Sequence, residues 1–171
     1  YELALVPTYD KKGKAKYDTK TPKSILPKVV EYFQFQPLII AGFSAYENND
    51  PSTAYDLFMA HCNIPDMKLM RDNPEDLAKL LRDSSFYTCV YYAGRFAYEA
   101  QRYEEAIATL QRMNSDHAKA NALPKEVVFA NEYIYQIYIE QKDTVNAVEF
   151  IKGCINQFPN EPWFMQNLIN L

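Results

Sequence analysis

Residues 90–110 read VYYAGRFAYEAQRYEEAIATL, and this stretch decides how the chain folds. Its first half is an apolar helix that ends in the polar pair Gln101-Arg102. Tyr103-Glu104-Glu105 then opens a second helix, with two acids where the positive end of a helix dipole favours them. That helix carries Ala106 on its inner face and Leu110 one turn later. The stretch is a helix, a tight turn and a returning helix.

Two other segments follow the same plan. Residues 39–58 read IIAGFSAYENNDPSTAYDLF, and residues 133–151 read YIYQIYIEQKDTVNAVEFI. Asp50 before Pro51 is an N-cap followed by proline at the first helical position, where its missing N–H costs nothing. Asp143 caps the matching helix of the last segment, with Thr144 after it. A unit repeated in this way is the signature of a stacked helical array.

The residues at fixed positions in these units give the array a family resemblance. Ala93-Gly94, Tyr103, Ala106 and Leu110 match the tetratricopeptide repeat (TPR) pattern: a small residue and Gly in helix A, an aromatic at the turn, then Ala and a large apolar residue in helix B. Ala41-Gly42, Ala54 and Phe58 fill those positions in the first unit; Ala147, Ile151 and Pro159 do so in the third, where Tyr135 replaces the Gly. The resemblance implies an all-α, right-handed superhelix of about three helix–turn–helix repeats, with the third hairpin crossing more widely. The aligned alanines Ala54, Ala106 and Ala147 lie 52 and 41 residues apart, against roughly 34 for a plain TPR, so insertions separate the repeats.

The chain divides accordingly. Residues 1–34 are the close of a preceding repeat, a Lys-rich connecting loop and a lead-in helix. Repeat one spans 35–64, and an inserted short helix and loop span 65–86, where Asn73-Pro74-Glu75-Asp76 opens a helix through Leu81. Repeat two spans 87–123, with Ser115 to Pro124 as a longer connection. Repeat three spans 124–160, and residues 161–171 start a further or capping helix. Helix should exceed two-thirds of the residues, with no sheet beyond a two-stranded ribbon around residues 8–18. Both ends read as cut from a longer array. The C-terminal helix, bearing Trp163, Phe164 and Leu168, is expected to leave an apolar side for weak self-association. The stretch QKDTVNAVEFIKGCINQFPNEPWFMQNLIN, with the Lys-rich insert, also resembles exported TPR proteins of Bacteroidetes bacteria. That resemblance implies a periplasmic or envelope location, with the cytoplasm as alternative.

Composition bounds the function. The 171 residues are 48% hydrophobic and 15% aromatic, with 14 Tyr and 4 Gly, which suits a packed helical core. Net charge is −4, which argues against a nucleic-acid binder working by phosphate neutralisation. The first 33 residues hold seven Lys against four acids, and Lys11, Lys12, Lys14 and Lys16 around Gly13 read as a solvated loop. No apolar run approaches the ~20 residues of a membrane span. Cys62, Cys89 and Cys154 are too far apart for a Cys-x-x-Cys motif and read as buried free thiols. His61 and His117 have no partner at ligand spacing, and the four glycines form no phosphate cradle. No catalytic residue, metal or cofactor follows from the sequence, and the chain reads as non-enzymatic.

What remains is surface. In TPR arrays the A helices line a concave groove for peptides or partner helices. Carried over by position, that groove holds Gln36, Ile39, Phe43, Tyr46 and Glu47, then Thr88, Tyr91, Arg95, Tyr98 and Glu99, then Phe129, Glu132, Gln136, Ile139 and Glu140. The Lys and Asn clamp that some TPR proteins use for a C-terminal carboxylate is absent, its positions being Ile39/Phe43, Tyr91/Arg95 and Glu132/Gln136. Phe43, Tyr46, Tyr91, Arg95, Tyr98 and Gln136 are the candidate contacts for a protein or peptide partner. Tyr91 and Tyr98, seven apart, suit a core face equally well. Arg95 stands one turn from both, so an acidic-aromatic segment is the expected ligand. The alternative is a structural spacer with no groove ligand.

Overall fold

Three copies of one turn organise the chain, which is described from a computed structural model covering residues 6–17, 20, 24 and 37–170. In chain order the α-helices are α1 (Pro37–Glu47), α2 (Pro51–Cys62), α3 (Lys68–Arg71), α4 (Pro74–Leu80), α5 (Ser84–Glu99), α6 (Tyr103–Gln111), α7 (Asp116–Asn121), α8 (Pro124–Glu140), α9 (Thr144–Gln157) and α10 (Pro162–Ile169). Short 3₁₀ turns cover Ile64–Asp66 and Arg112–Asn114. The repeat hairpins are α1–α2, α5–α6 and α8–α9. Helix accounts for 76% of the described residues. The expected lead-in helix, the end of a preceding repeat and Gln36 lie outside the described residues, apart from Val6.

Each hairpin turns in the same way. Asn49, Gln101 and Lys142 take the left-handed conformation, with φ of 62°, 59° and 58°. The amide after each bonds back to helix A: Asp50 to Ala45 at 3.0 Å, Arg102 to Ala97 at 2.8 Å and Asp143 to Tyr138 at 2.9 Å. This is a Schellman ending built without glycine, and its hydrogen bonds satisfy the orphan carbonyls that oppose the backbone strain. The next helix then starts on its expected cap. Asp50 accepts from the Thr53 amide at 3.0 Å and Asp143 from the Asn146 amide at 3.1 Å.

Within a hairpin, the missing Cβ sets the distance. A Cβ on Gly94 would lie 2.4 Å from Leu110 Cγ, and one on Gly42 would lie 2.5 Å from the Phe58 ring. Leu110 and Phe58 therefore plug into helix A where no side chain stands. In the third hairpin Tyr135 occupies that place, and α8 and α9 approach less closely than the helices of the first two. Ala147 and Ile151 are still fully buried.

Between repeats, aromatic rings and polar braces join neighbours. Phe58 packs edge-on against Phe96 of the next repeat at 5.1 Å, and against Phe43 of its own repeat at the same distance. Arg102 stacks 4.3 Å over the Tyr55 ring, pairs with Asp56 at 2.8 Å and holds Glu105 through two nitrogens. Arg112 donates to the Cys62 carbonyl and to Asn63. Buried Asn131 exchanges hydrogen bonds with Asn114 at 2.9 and 3.0 Å, tying repeat two to repeat three.

The N-terminal ribbon is present: Thr8–Tyr9 pairs antiparallel with Ala15–Lys16 around Gly13, whose φ is +74°. Asp10 pins the turn by accepting from the Lys12 and Lys14 amides. The Ser115 to Pro124 connection is instead helical over Asp116–Asn121, capped by the Ser115 hydroxyl on the Ala118 amide. Ala118 and Ala122 are buried, so the segment closes over the core rather than looping out. All three cysteines are free, but Cys89 is only half-buried. Phe164, expected on an open apolar side, is fully buried with Val128, Tyr135, Ala147, Ile151 and Cys154, and Trp163 and Leu168 pack against the same cluster.

The close approach generates a paired prediction. Gly94→Ala should lower unfolding free energy by about 1–3 kcal/mol, the usual penalty for overpacking. Gly153, inside α9 with nothing within 4 Å of an added Cβ, should gain about 0.4–1 kcal/mol on Gly153→Ala. Urea titrations in which both changes had the same sign would contradict the packing described.

Candidate protein-binding face

Side chains from α1, α5 and α8 meet along one face, because each B helix occupies the opposite side of its A helix, close in at Gly42 and Gly94. Phe43 lies 5.5 Å from Tyr92, whose ring is 5.5 Å from Tyr91. Tyr91 and Tyr98 flank Tyr133 at 6.3 and 5.2 Å. The Tyr98 hydroxyl donates to Glu140, and Tyr103 donates to the same carboxylate at 2.9 Å. Gln136 donates to it at 3.3 Å. The Tyr98 hydroxyl, with burial opposing it, holds the Glu140 carboxyl below its ordinary range.

Arg95 is already engaged. Its Nε pairs with Glu99 at 2.8 Å and its Nη2 donates to the Tyr46 hydroxyl at 3.1 Å. Its guanidinium carbon is 5.7 Å from the Tyr46 ring centre. The carboxylate and the aromatic that the sequence assigned to a partner are thus supplied within the chain. Phe43 and Tyr46 form the edge of the ring cluster around Phe96, while Tyr91 and Tyr98 are half-buried against the core.

Further along, the face deepens into a cleft of about 360 Å³ lined by Tyr91, Phe129, Glu132, Tyr133, Gln136 and Trp163. The walls come from α5, α8 and α10. Burial pushes the Tyr91 phenol up to about 12, with Tyr133 adding to it. Burial, then the neighbouring Glu161, raises the Glu132 carboxyl above its ordinary value. Glu132 makes no hydrogen bond or ion pair with any described residue.

Tyr133 and Trp163 are the cleft residues the sequence missed. Tyr133 falls outside the groove positions of the repeat pattern, and Trp163 read as part of an open helix end. The available signal was Tyr135. Where the pattern wants Gly, this ring instead packs edge-on against Trp163 at 5.6 Å, and its hydroxyl donates to the Asn167 carbonyl at 3.4 Å. The departure from the pattern seats α10, and α10 brings Trp163 to the cleft.

Because Tyr98 both packs and bonds, its variants should separate. Tyr98→Phe keeps the ring and removes the bond to Glu140, lowering stability by about 0.5–1.5 kcal/mol. Tyr98→Ala also strips contacts with Tyr103 and Tyr133 and should cost about 2 kcal/mol or more, short of the roughly 3–5 of a fully buried aromatic. Equal losses for both, measured by denaturant titration, would show that the ring packing contributes nothing.

The known proteins add one match. A family model described as the tetratricopeptide repeat covers residues 89–120, from the second turn of α5 through α6 and nearly all of α7. No curated protein and no solved structure matches the chain. The matched hairpin is flanked on each side by another with the same left-handed turn and the same inner alanine. Residues 89–120 thus match the tetratricopeptide repeat, and the chain folds as an all-α, TPR-like helical repeat.

Proposed function

We propose that this chain is a non-enzymatic scaffold that holds another protein or peptide along its A-helix face. Tetratricopeptide repeats generally mediate protein–protein interaction. The observation that carries the reading is the cleft walled by Tyr91, Phe129, Tyr133 and Trp163. Concave, aromatic sites with a few polar groups are where proteins take ligands, and Tyr and Trp dominate interface energies. A docked segment would run across α1, α5 and α8, touching Phe43, Tyr46, Tyr91, Arg95, Tyr98 and Gln136. The resemblance of the third repeat to exported proteins favours the periplasm or envelope, with the cytoplasm as alternative. Among the described residues no helix is long and apolar enough to cross a membrane.

One observation favours the spacer reading: Arg95 is already bonded to Tyr46, and Tyr98 to Glu140. Selection of random displayed dodecapeptides on the folded protein decides between the two. Binders should be recovered whose affinity falls at least about tenfold in Tyr91→Ala or Gln136→Ala, the scale of an interface hot spot, and is unchanged in Val145→Ala on exposed α9. Recovery of no binder, or of binders insensitive to the first two changes, would favour the spacer.

Weak self-association through the C-terminal helix forms part of the same proposal, carried by Met165 and Ile169 rather than Phe164. These two lie one turn apart, 48% and 76% exposed. Sedimentation should show concentration-dependent dimers that Ile169→Asp abolishes; a strict monomer at high concentration would refute this part.

A further inference from the structure

The helices that bear the binding face are biased in charge. Across α1, α5, α8 and α10 the cations are Arg95 and Lys125, against Glu47, Glu99, Glu126, Glu132 and Glu140. Several of these acids are already partnered. Glu99 holds Arg95, Glu126 accepts from the Thr88 hydroxyl at 2.9 and 3.0 Å, and Glu140 accepts from two tyrosines. Glu132 has no such partner and is half-buried in the cleft, where Glu161 adds negative charge. A carboxylate in that position is stabilised by a cation, and nothing described in the chain supplies one.

Resting on the scaffold reading above, we infer that the cleft takes a lysine or arginine side chain from a basic segment of a partner protein. The charged head meets the Glu132 carboxylate, and the stem lies against Trp163, Tyr133 and Tyr91. Three observations fit this occupant. Aromatic faces attract cations, more strongly once water is displaced. The long stems of Lys and Arg cover apolar surface while their heads stay polar. Gln136 donates one of its two amide N–H groups to Glu140, and its amide oxygen is a second acceptor at the cleft wall. The size also fits, since about 360 Å³ is at the small end of the roughly 300–1,000 Å³ of ligand sites. An acidic anchor would instead face Glu132 and Glu161, and the charge of the nearby Arg95 is already paired with Glu99. The acidic-aromatic ligand expected from sequence therefore gives way to a basic one.

Trp163 is the single tryptophan, so its fluorescence and indole N–H resonance report the cleft directly. The probes are three dodecapeptides of one Gly/Ser/Tyr background carrying three arginines, three citrullines or three glutamates, titrated at low salt. The arginine peptide should shift the Trp163 signals saturably, with the other two at least about tenfold weaker. Glu132→Gln should weaken the arginine peptide about tenfold with the melting temperature unchanged. Tyr133→Leu, which keeps an apolar wall, should weaken it as well. Equal binding of the arginine and citrulline peptides, preference for the glutamate peptide, indifference to Glu132→Gln, or no saturable shift with the arginine peptide would each overturn the cation site. If peptides selected by display still require Tyr91 and Gln136, the scaffold reading survives that failure; if none does, both fall.

Discussion

Everything in this array depends on how near helix A can come to helix B. At Gly94 the Leu110 side chain stands where a Cβ would be, and at Gly42 the Phe58 ring does. Interiors are packed as densely as organic crystals, so one methyl group is enough to push such a pair apart. Because the two helices meet on the small-residue side, the opposite side of helix A is left to face its neighbours and the solvent. The candidate face is thus a consequence of two glycines that lie beneath it. In the third repeat Tyr135 reverses the arrangement. The hairpin loosens, the ring turns to α10, and Trp163 is held at the cleft by an edge-on contact. The cleft exists because the third repeat breaks the rule that the first two obey.

A linear array is only as stable as the contacts between neighbouring units. Here those contacts are of two kinds. Rings from Phe43, Phe58, Tyr92 and Phe96 fill the joint between repeats one and two, while the Asn114–Asn131 pair marks the joint between two and three. Arg102 shows how much one side chain can bridge, since it touches Tyr55, Asp56 and Glu105 at once. Its individual ion pairs are exposed and contribute little each. Their geometry does fix how helix B of one repeat sits on the next. Asn131 is costlier to disturb, because losing its partner would leave a buried amide without hydrogen bonds.

The charge of the face narrows what it can hold. Interfaces gain specificity when potentials are complementary, and a mismatched charge is penalised more than a match is rewarded. On this face Arg95 is paired with Glu99, and the half-buried Glu132 has no ion-pair partner among the described residues; that arrangement underlies the proposed preference for a basic segment. Net charge alone could not show this. The sum of −4 covers both the lysine-bearing ribbon and the acidic helices, and only the arrangement separates them.

The sequence by itself determined the helical hairpins, their caps and the order of the repeats. Those features depend on residues close in sequence, such as Asp50 with Thr53 and Asp143 with Asn146, or at a fixed spacing within one hairpin, such as Gly94 with Leu110. It also showed which residues face away from the B helices, since a helix has one period. It did not show that Asn49, Gln101 and Lys142 share one backbone conformation, because none of them is the glycine that usually marks it. The short helix over Asp116–Asn121 was hidden for a similar reason: its one buried alanine, Ala118, is covered by contacts from other elements rather than placed by a repeating pattern. The pairing of Arg95 with Tyr46, the burial of Phe164 and the meeting of Glu132 with Trp163 were decided by tertiary structure alone. Each joins residues on different helices, and how far one helix is displaced against the next follows from packing volumes that no local spacing records.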